Sequence, residues 1–523
     1  MSLEARIVGI LVGAVALLLL WWGWQATRVH ASIAGLESGV ALQPQAAEDL
    51  EFRIEVSPKG RLDEATLTFN GRDVLPDAEV KGDVISWDPG ELEEGEYRLR
   101  LTVPRPILPD AAITWDFTVD GTPPRILVPS YLPPRGMDAD VEIEGTVEGA
   151  TELLVNGERQ NFNGDGEFTL DYDAPPTGPI VLKARDAAGN ERSVSTYAPV
   201  KFPDAVRGVH VTAIAWHNDS LREGIIDLID EGLVNTVVLS IKDEGGVVGH
   251  ATKVPLARRI GASANLYRLE DVVDYLHSRK VRVTGRIVAF RDPVLADWSW
   301  SNRRREMVVQ TEGGGRFGAY GGGFTNFANA DVQAYNLALA EEAVRAGVDD
   351  ILWDYIRRPD GEIADMRFPG LKGEPEDEVT GFLAQSHSRL RKLGAVQGAS
   401  VFGIAATRPE QIAQNVLEMA GHTDYIAPML YPSHWNVGEY GLSDPEQEPY
   451  EIIKRSMGDF RQQVQRTGRP LVPWIQHFSL DVRYGSEDVV AQTRAARDMG
   501  FNGWLMWDPD VTYDAKALAG SAD

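Results

Sequence analysis

Apolar positions along this chain follow three rhythms, and each predicts a different kind of element. Ile7 to Trp24 is an uninterrupted apolar run without a charge. As a helix at ~1.5 Å per residue it would nearly cross a ~30 Å hydrocarbon core. Trp21, Trp22 and Trp24 stand at its carboxyl end, where interfacial aromatics belong. Residues 1–30 therefore read as an uncleaved transmembrane signal anchor, and residues 31–48 as a linker. Cleavage near the small residues of His30-Ala31-Ser32-Ile33-Ala34 is the alternative. Arg6 before the run is opposed by Arg28 after it. The expectation is a single-pass cell-membrane protein with the bulk of the chain on the periplasmic or extracellular side.

Between residues 49 and 203 the period is two. Phe52-Arg53-Ile54-Glu55-Val56 and Tyr97-Arg98-Leu99-Arg100-Leu101-Thr102-Val103 alternate apolar with polar, as half-buried strands do. Asn70-Gly71 and Pro89-Gly90 supply turns. After Thr122-Pro123-Pro124 the pattern repeats, in Val141-Glu142-Ile143-Glu144-Gly145-Thr146-Val147 and Ile180-Val181-Leu182-Lys183-Ala184. Two all-β sandwich modules fit this spacing, at residues 49–122 and 123–203. Arg185-Asp186-Ala187-Ala188-Gly189-Asn190 resembles the turn before the final strand of bacterial immunoglobulin-like modules. The modules read as spacers, with glycan or protein binding as the alternative.

From residue 204 to 523, short Val- and Ile-rich runs alternate with helical patterns of 10–20 residues. That is the signature of repeated βα units around a parallel sheet. Eight strands are expected: Gly208–Ala215, Thr236–Ile241, Val281–Ala289, Asp350–Trp353, Ser400–Ala405, Tyr425–Met429, Leu471–Ile475 and Gly503–Met506. Helices are expected between them, one over Pro409–Met419 opened by a Thr407/Glu410 capping box. Eight repeats over this length predict a (β/α)8 TIM barrel, with an open doubly wound sheet as the alternative.

Composition narrows the chemistry. The 51 Lys and Arg against 78 Asp and Glu leave a net charge of -27, which excludes a general nucleic-acid binder and a polybasic membrane-surface protein. Zero cysteines exclude disulfides, thiolate metal sites and cysteine nucleophiles. At 43% hydrophobic and 25% charged, wholesale disorder is excluded.

Barrel chemistry sits on the loops after the strands, so the strand ends supply the candidates. They collect the carboxylates Asp243, Asp292, Asp354 and Asp508 and the aromatics Trp216, Trp353, Tyr431, Trp435 and Trp507. Sugar rings stack on aromatics and hydrogen-bond to carboxylates, and glycosidic cleavage needs two carboxyls whose environments split their pKa values. Asp354 is the leading catalytic candidate. It ends an apolar strand between aromatics, with Arg357 and Arg358 close by to keep it ionised as a nucleophile. Capping of a turn with a pair to Arg357 is its alternative role. Asp243 and Asp508 are the candidate partners, each with a turn role as the alternative. Trp216, His217, Asp292, Tyr355, Arg357, Tyr431, His434, Trp435, Gln476 and Trp507 are expected to bind substrate. Glu439 is a possible mobile acid. His210 and His217 stand seven apart, not as a His-x-His pair, so no metal and no cofactor are expected. The glycine-rich stretch Thr311 to Phe327 lacks a following Gly-Lys-Ser/Thr and reads as a flap.

Several of these segments resemble one family. They are Gly208-Val209-His210-Val211-Thr212, Lys242-Asp243-Glu244-Gly245, Arg286-Ile287-Val288-Ala289-Phe290-Arg291-Asp292-Pro293, Asp354-Tyr355-Ile356-Arg357-Arg358-Pro359, Pro428-Met429-Leu430-Tyr431-Pro432-Ser433-His434-Trp435 and Gly503-Trp504-Leu505-Met506-Trp507-Asp508. Residues 207 to about 513 resemble the bacterial "putative glycosyl hydrolase" barrels, distantly similar to α-amylase and α-galactosidase barrels. The resemblance implies a polysaccharide-directed hydrolase with its nucleophile at Asp354. It assigns no acid/base, because no carboxylate directly follows strands 5 and 6.

The expected function is an exported, membrane-anchored glycoside hydrolase acting on an extracellular or envelope polysaccharide. The acidic balance mildly favours a neutral or cationic glycan. A non-catalytic glycan-binding or scaffold protein on the same barrel is the alternative, and metal-dependent deacetylation a third.

Overall fold

The computed structural model describes residues 29–522, apart from 35, 49, 58–61, 106–108, 137, 138, 177 and 502. The expected anchor at Ile7 to Trp24 lies outside the described residues. Among the described residues, no helix is long and apolar enough to cross a membrane.

The chain divides into two compact units. Among the described residues, one comprises those up to Val128 with Glu144–Thr169 and Val181–Val194; the other comprises Pro129–Ile143, Leu170–Ile180 and those from Ser195 onward. The first is β-rich. Its four-stranded sheet holds His30–Ile33, Phe52–Ser57, Val84–Trp87 and Glu79–Lys81 in that order. Its five-stranded sheet runs Val40–Leu42, Ala111–Val119, Gly95–Val103, Thr66–Phe69, Arg72–Asp73. Strict alternation buries every second side chain of Phe52–Ser57, so Phe52, Ile54 and Val56 share a core with Leu67, Leu101 and Phe117. Residues 31–48, expected as a linker, supply two of these strands. Ala31 pairs with Val56 and Ala41 with Thr118. Strands of four and three residues are too short to display a period, which is why the pattern did not reveal them. Strands between Arg125 and Thr196 form a three-stranded and a four-stranded sheet.

The second unit contains the expected barrel. Its strands are β1 (Arg207–Val211), β2 (Thr236–Lys242), β3 (Arg282–Val288), β4 (Asp350–Asp354), β5 (Val396–Phe402), β6 (Tyr425–Met429), β7 (Trp474–Gln476) and β8 (Trp504–Trp507). All neighbouring pairs are parallel, and β1 closes the ring by pairing with both β2 and β8, as in Gly208↔Thr236 and Gly208↔Leu505. A helix follows each strand, from Asp219–Asp230 after β1 to Ala515–Ala522 after β8. β2, β3 and β4 are buried along their whole length, as a sheet covered on both faces requires.

Several expectations shift. The first strand, expected over Gly208–Ala215, ends at Val211 and gives way to a helix over Ala213–His217 that Thr212 caps. The seventh, expected from Leu471, starts at Trp474. β5 begins four residues before the expected Ser400, at Val396. Gln397-Gly398 looks like a turn in sequence, yet a Cβ at Gly398 would stand 2.1 Å from the Tyr425 ring, so glycine serves close packing there. The expected helix over Pro409–Met419 is a 3-10 turn, Pro409–Gln411, followed by a short helix, Val416–Gly421. The capping box does not form. Thr407 donates back to the Ile404 carbonyl (3.3 Å), and Asn415 caps the later helix.

Candidate active site

A cavity of about 160 Å³ opens at the carboxyl ends of the barrel strands. A cavity of roughly 150 Å³ holds a benzene ring, so the space suits one six-membered ring. Asp354, Phe402, Met429 and Trp507 line it as the last residues of β4, β5, β6 and β8. Arg286 reaches it from within β3, and Glu244 from two residues past β2. Tyr431, His434 and Trp435 come from the loop after β6.

The polar floor is built on Arg286. Its Nε donates to Asp354 Oδ2 at 2.8 Å, and its Nη2 stands 2.5 Å from the same oxygen. Nη2 also bonds Glu244 Oε1. Both carboxylate oxygens are thus within reach of one nitrogen, and can be no farther apart than two hydrogen bonds laid end to end, about 5 Å. Asp354 Oδ1 accepts the Tyr355 backbone N–H at 2.7 Å, and Asp354 is only 2% exposed. Tyr355 stands in the left-handed region (φ 48°), a strain that turns the chain sharply after the carboxylate.

The two carboxyls are driven apart electrostatically. Burial, the largest effect on Asp354, raises its carboxyl against the pull of Arg286. Burial also works to raise Glu244, but the charge and hydrogen bond of Arg286 outweigh it and hold Glu244 at about 2. One group keeps its charge and the other is the easier to protonate, which is the division of labour an acid–nucleophile pair requires. With both ionised, the two carboxylates and one guanidinium leave a single negative charge facing the cavity.

The walls are aromatic and apolar. Trp507 stacks on His210 (centroids 3.9 Å, 16° between planes) and has the Arg286 guanidinium 4.8 Å from its ring centre. Burial keeps the Tyr431 phenol protonated and lowers the His434 imidazole. His434 Nδ1 lies 3.0 Å from the Ser433 hydroxyl, which donates to Gln476 Oε1 at 2.8 Å.

Of the residues singled out in the sequence, Asp354, Tyr355, Tyr431, His434, Trp435 and Trp507 meet at this cavity. Gln476 stands behind it, holding the Ser433 backbone and hydroxyl. Asp243 is placed elsewhere. Its Oδ1 accepts the backbone N–H groups of Gly245 and Val247, both at 2.9 Å, closing the turn. Its neighbour Glu244 faces the cavity instead. Asp508 caps Asp510 (2.8 Å) and pairs with His477 (3.3 Å). Asp292 is fully buried, capping the helix at Leu295 (2.8 Å) and pairing with Lys242 (2.7 Å). Trp216 is buried against Tyr275, and His217 bonds the Leu266 carbonyl (3.0 Å). Neither lines the cavity. Arg357 lines a small neighbouring cavity with Asp354 and Tyr355, but its guanidinium pairs with Asp360 (3.2 Å) and meets the Tyr320 hydroxyl (3.1 Å). Asp354 takes its arginine from another strand, 68 residues back in the chain. Glu439 pairs with Arg408 at 2.9 Å.

Arg286 and Glu244 stand at the cavity without having been among the candidate site residues. An arginine in the middle of a strand expected to be covered on both faces was the available signal for Arg286. Among the described residues, no group of three or more His, Asp or Glu is placed to hold a metal ion.

The model of the family described as "putative glycosyl hydrolase domain" matches residues 208–513. The chain belongs to that family. Its matched region is the barrel, and it contains every residue of the cavity. No curated protein matches the chain. Among solved structures, a hypothetical protein from Ruminiclostridium thermocellum is 31% identical over 36% of this chain and 96% of its own, with a TM-score of 0.32. The glycoside hydrolase domain of PgaB (BpsB) from Bordetella bronchiseptica is 14% identical, covering 60% of this chain and 98% of its own, at a TM-score of 0.41. That of PelA from Pseudomonas aeruginosa is 14% identical, covering 60% and 97%, at 0.36.

Proposed function

We propose that this member of the glycosyl hydrolase domain family is an exported, membrane-anchored hydrolase of O-glycosidic bonds in an extracellular or envelope polysaccharide. The observation that carries the reading is the pair Glu244 and Asp354, bridged by Arg286 on the floor of a ring-sized aromatic cavity. Sharing one nitrogen keeps the two carboxyls within about 5 Å, the short separation of enzymes which retain anomeric configuration through a covalent intermediate and not the longer one of inverting enzymes. Glu244 stays charged and is partly open to solvent, so it is the nucleophile. Asp354, the weaker acid of the two, gives its proton to the departing glycosidic oxygen. Bond cleavage leaves the sugar esterified to Glu244; a water then attacks the same carbon, gives its proton to Asp354 and frees Glu244. This reverses the role first expected of Asp354, because burial raises its carboxyl against the pull of Arg286 and leaves it the easier of the two to protonate. As Asp354 gives up its proton the cluster gains negative charge opposite the oxocarbenium-like transition state, and the chain's net charge of -27 favours a neutral or cationic glycan. Export and anchoring rest on the apolar run Ile7 to Trp24.

The test is hydrolysis by the full chain of a panel of end-labelled α- and β-linked glucose, galactose and glucosamine oligosaccharides. Turnover by the wild type that Glu244→Gln abolishes supports the reading. Equal rates for wild type and Glu244→Gln sink it.

The tight hold of Arg286 on Asp354 favours a second reading, a barrel that binds glycans without cutting them. In that case the same panel gives saturable binding and no turnover.

A further inference from the structure

His210 is buried in β1 and does not line the cavity, yet it touches one group that does and reaches a second through Ser240. Its ring lies flat against Trp507 at 3.9 Å. Its Nε2 stands 2.9 Å from the Ser240 hydroxyl, and Arg286 Nη1 donates to that same hydroxyl at 3.3 Å. A guanidinium has only donors, so Ser240 must accept from Arg286 and is free to donate its own hydrogen onward. The onward acceptor is His210 Nε2, which places the ring proton on Nδ1. A neutral ring is required for this. Burial first, and the nearby Arg286 charge second, lower His210 to about 3, so it is neutral at any ordinary pH. His210 Nδ1 has no hydrogen-bond partner among the described residues, an uncompensated buried polar atom that an apolar ring would not have left. Isolation of a polar atom is worth tolerating only if the other edge of the ring has a task.

We propose that His210 is a positioning residue with two separable jobs: its face fixes the Trp507 wall, and its Nε2 orients Ser240 and through it Arg286. The face acts on sugar binding. The nitrogen acts on chemistry, because Arg286 is the group that sets both carboxyls. This rests on the glycosidase reading and names a residue beyond its catalytic pair.

Three variants of the full chain separate the jobs. The probe is the oligosaccharide of the panel that wild type hydrolyses fastest, and folding is checked by circular dichroism. His210→Phe keeps a flat ring but removes the acceptor; kcat falls about tenfold while KM changes by less than about twofold. His210→Gln restores an acceptor without the ring; kcat recovers to within about twofold and KM rises about tenfold. Ser240→Ala, the smallest change, reproduces the kcat loss of His210→Phe and carries the test if that variant does not fold. The proposal is overturned if His210→Phe and His210→Gln lose kcat and KM in the same proportion, or if Ser240→Ala retains full kcat. With Glu244-dependent turnover intact, either outcome removes only this role for His210. Absence of any wild-type turnover removes the glycosidase reading and this inference together.

Discussion

Arg286 holds Asp354 with two nitrogens on one oxygen, at 2.8 and 2.5 Å, although the two residues lie on neighbouring strands and far apart in sequence. The same guanidinium carries Glu244, so a single buried cation organises both carboxyls of the cavity. Removing it is the sharpest perturbation available. Arg286→Met leaves buried Asp354 and half-buried Glu244 without a counter-charge, and one-sided removal of a buried ionic partner costs about 3–5 kcal/mol. Thermal unfolding at neutral pH should show that loss. Part of it should return on acidification, when the carboxyls can protonate.

Glu244 and Asp243 separate by role despite adjacency. Glu244→Gln removes the charged carboxylate and should lower kcat by at least about a thousandfold, in the range seen when a catalytic carboxylate or nucleophile is lost. Asp243→Asn keeps an acceptor for Gly245 and Val247, and should leave kcat within about threefold at a stability cost of about 1 kcal/mol. Steady-state kinetics on both variants decides it.

Linkage gives a signed pH prediction. Glu244 is depressed in the folded state from an ordinary 4.5 to about 2. Its contribution to stability is therefore complete above its unfolded value and is lost as pH falls from 4.5 towards 2. Asp354 is shifted the other way, so its protonation adds stability on acidification. Denaturant unfolding across that window should show a flatter decline in Glu244→Gln than in wild type.

Trp507 is the wall on which a sugar face would stack. Trp507→Ala removes an aromatic anchor of the kind whose truncation costs about 2 kcal/mol, or about thirtyfold in affinity. Calorimetric titration of the best oligosaccharide into Glu244→Gln, with and without Trp507→Ala, measures it under both the catalytic and the binding reading.

Lys242 and Asp292 form a wholly buried pair behind the site, with Lys242 5.0 Å from the Tyr335 ring centre. Asp292→Ala strands a buried ammonium and should cost about 3–5 kcal/mol. The double variant Lys242→Met/Asp292→Leu should recover most of that, because apolar replacement of a whole buried pair is often neutral. Paired denaturation curves test whether Asp292 is structural.

Much of the barrel was legible because burial on both faces forces continuous Val and Ile runs, such as Thr236–Lys242, and because the following helices have their own period. The elements that escaped notice lack such runs. Residues 30–42 contribute edge strands too short to alternate, and Gly398 interrupts β5 only to admit Tyr425. At the site, Asp354 and Trp507, the last residues of β4 and β8, and Tyr431, two residues past β6, all line the cavity, as side chains at the carboxyl ends of barrel strands can. Asp243 takes the turn role that was its alternative and Glu244 faces the cavity, because which of two adjacent loop carboxylates closes the turn depends on the backbone path.

The sequence by itself determined that eight βα repeats would close a barrel and that carboxylates and aromatics would gather at one end of it. Periodicity and burial are properties of neighbours along the chain, so they can be read there. Only the tertiary structure decided that Arg286, and not the adjacent Arg357, would partner Asp354, and that Glu244 would share it. Parallel pairing sets Arg286 of β3 opposite Leu352 of β4, two residues before Asp354. That register, a relation across strands with no trace in local spacing, brings one buried cation between two carboxyls and drives their proton affinities apart.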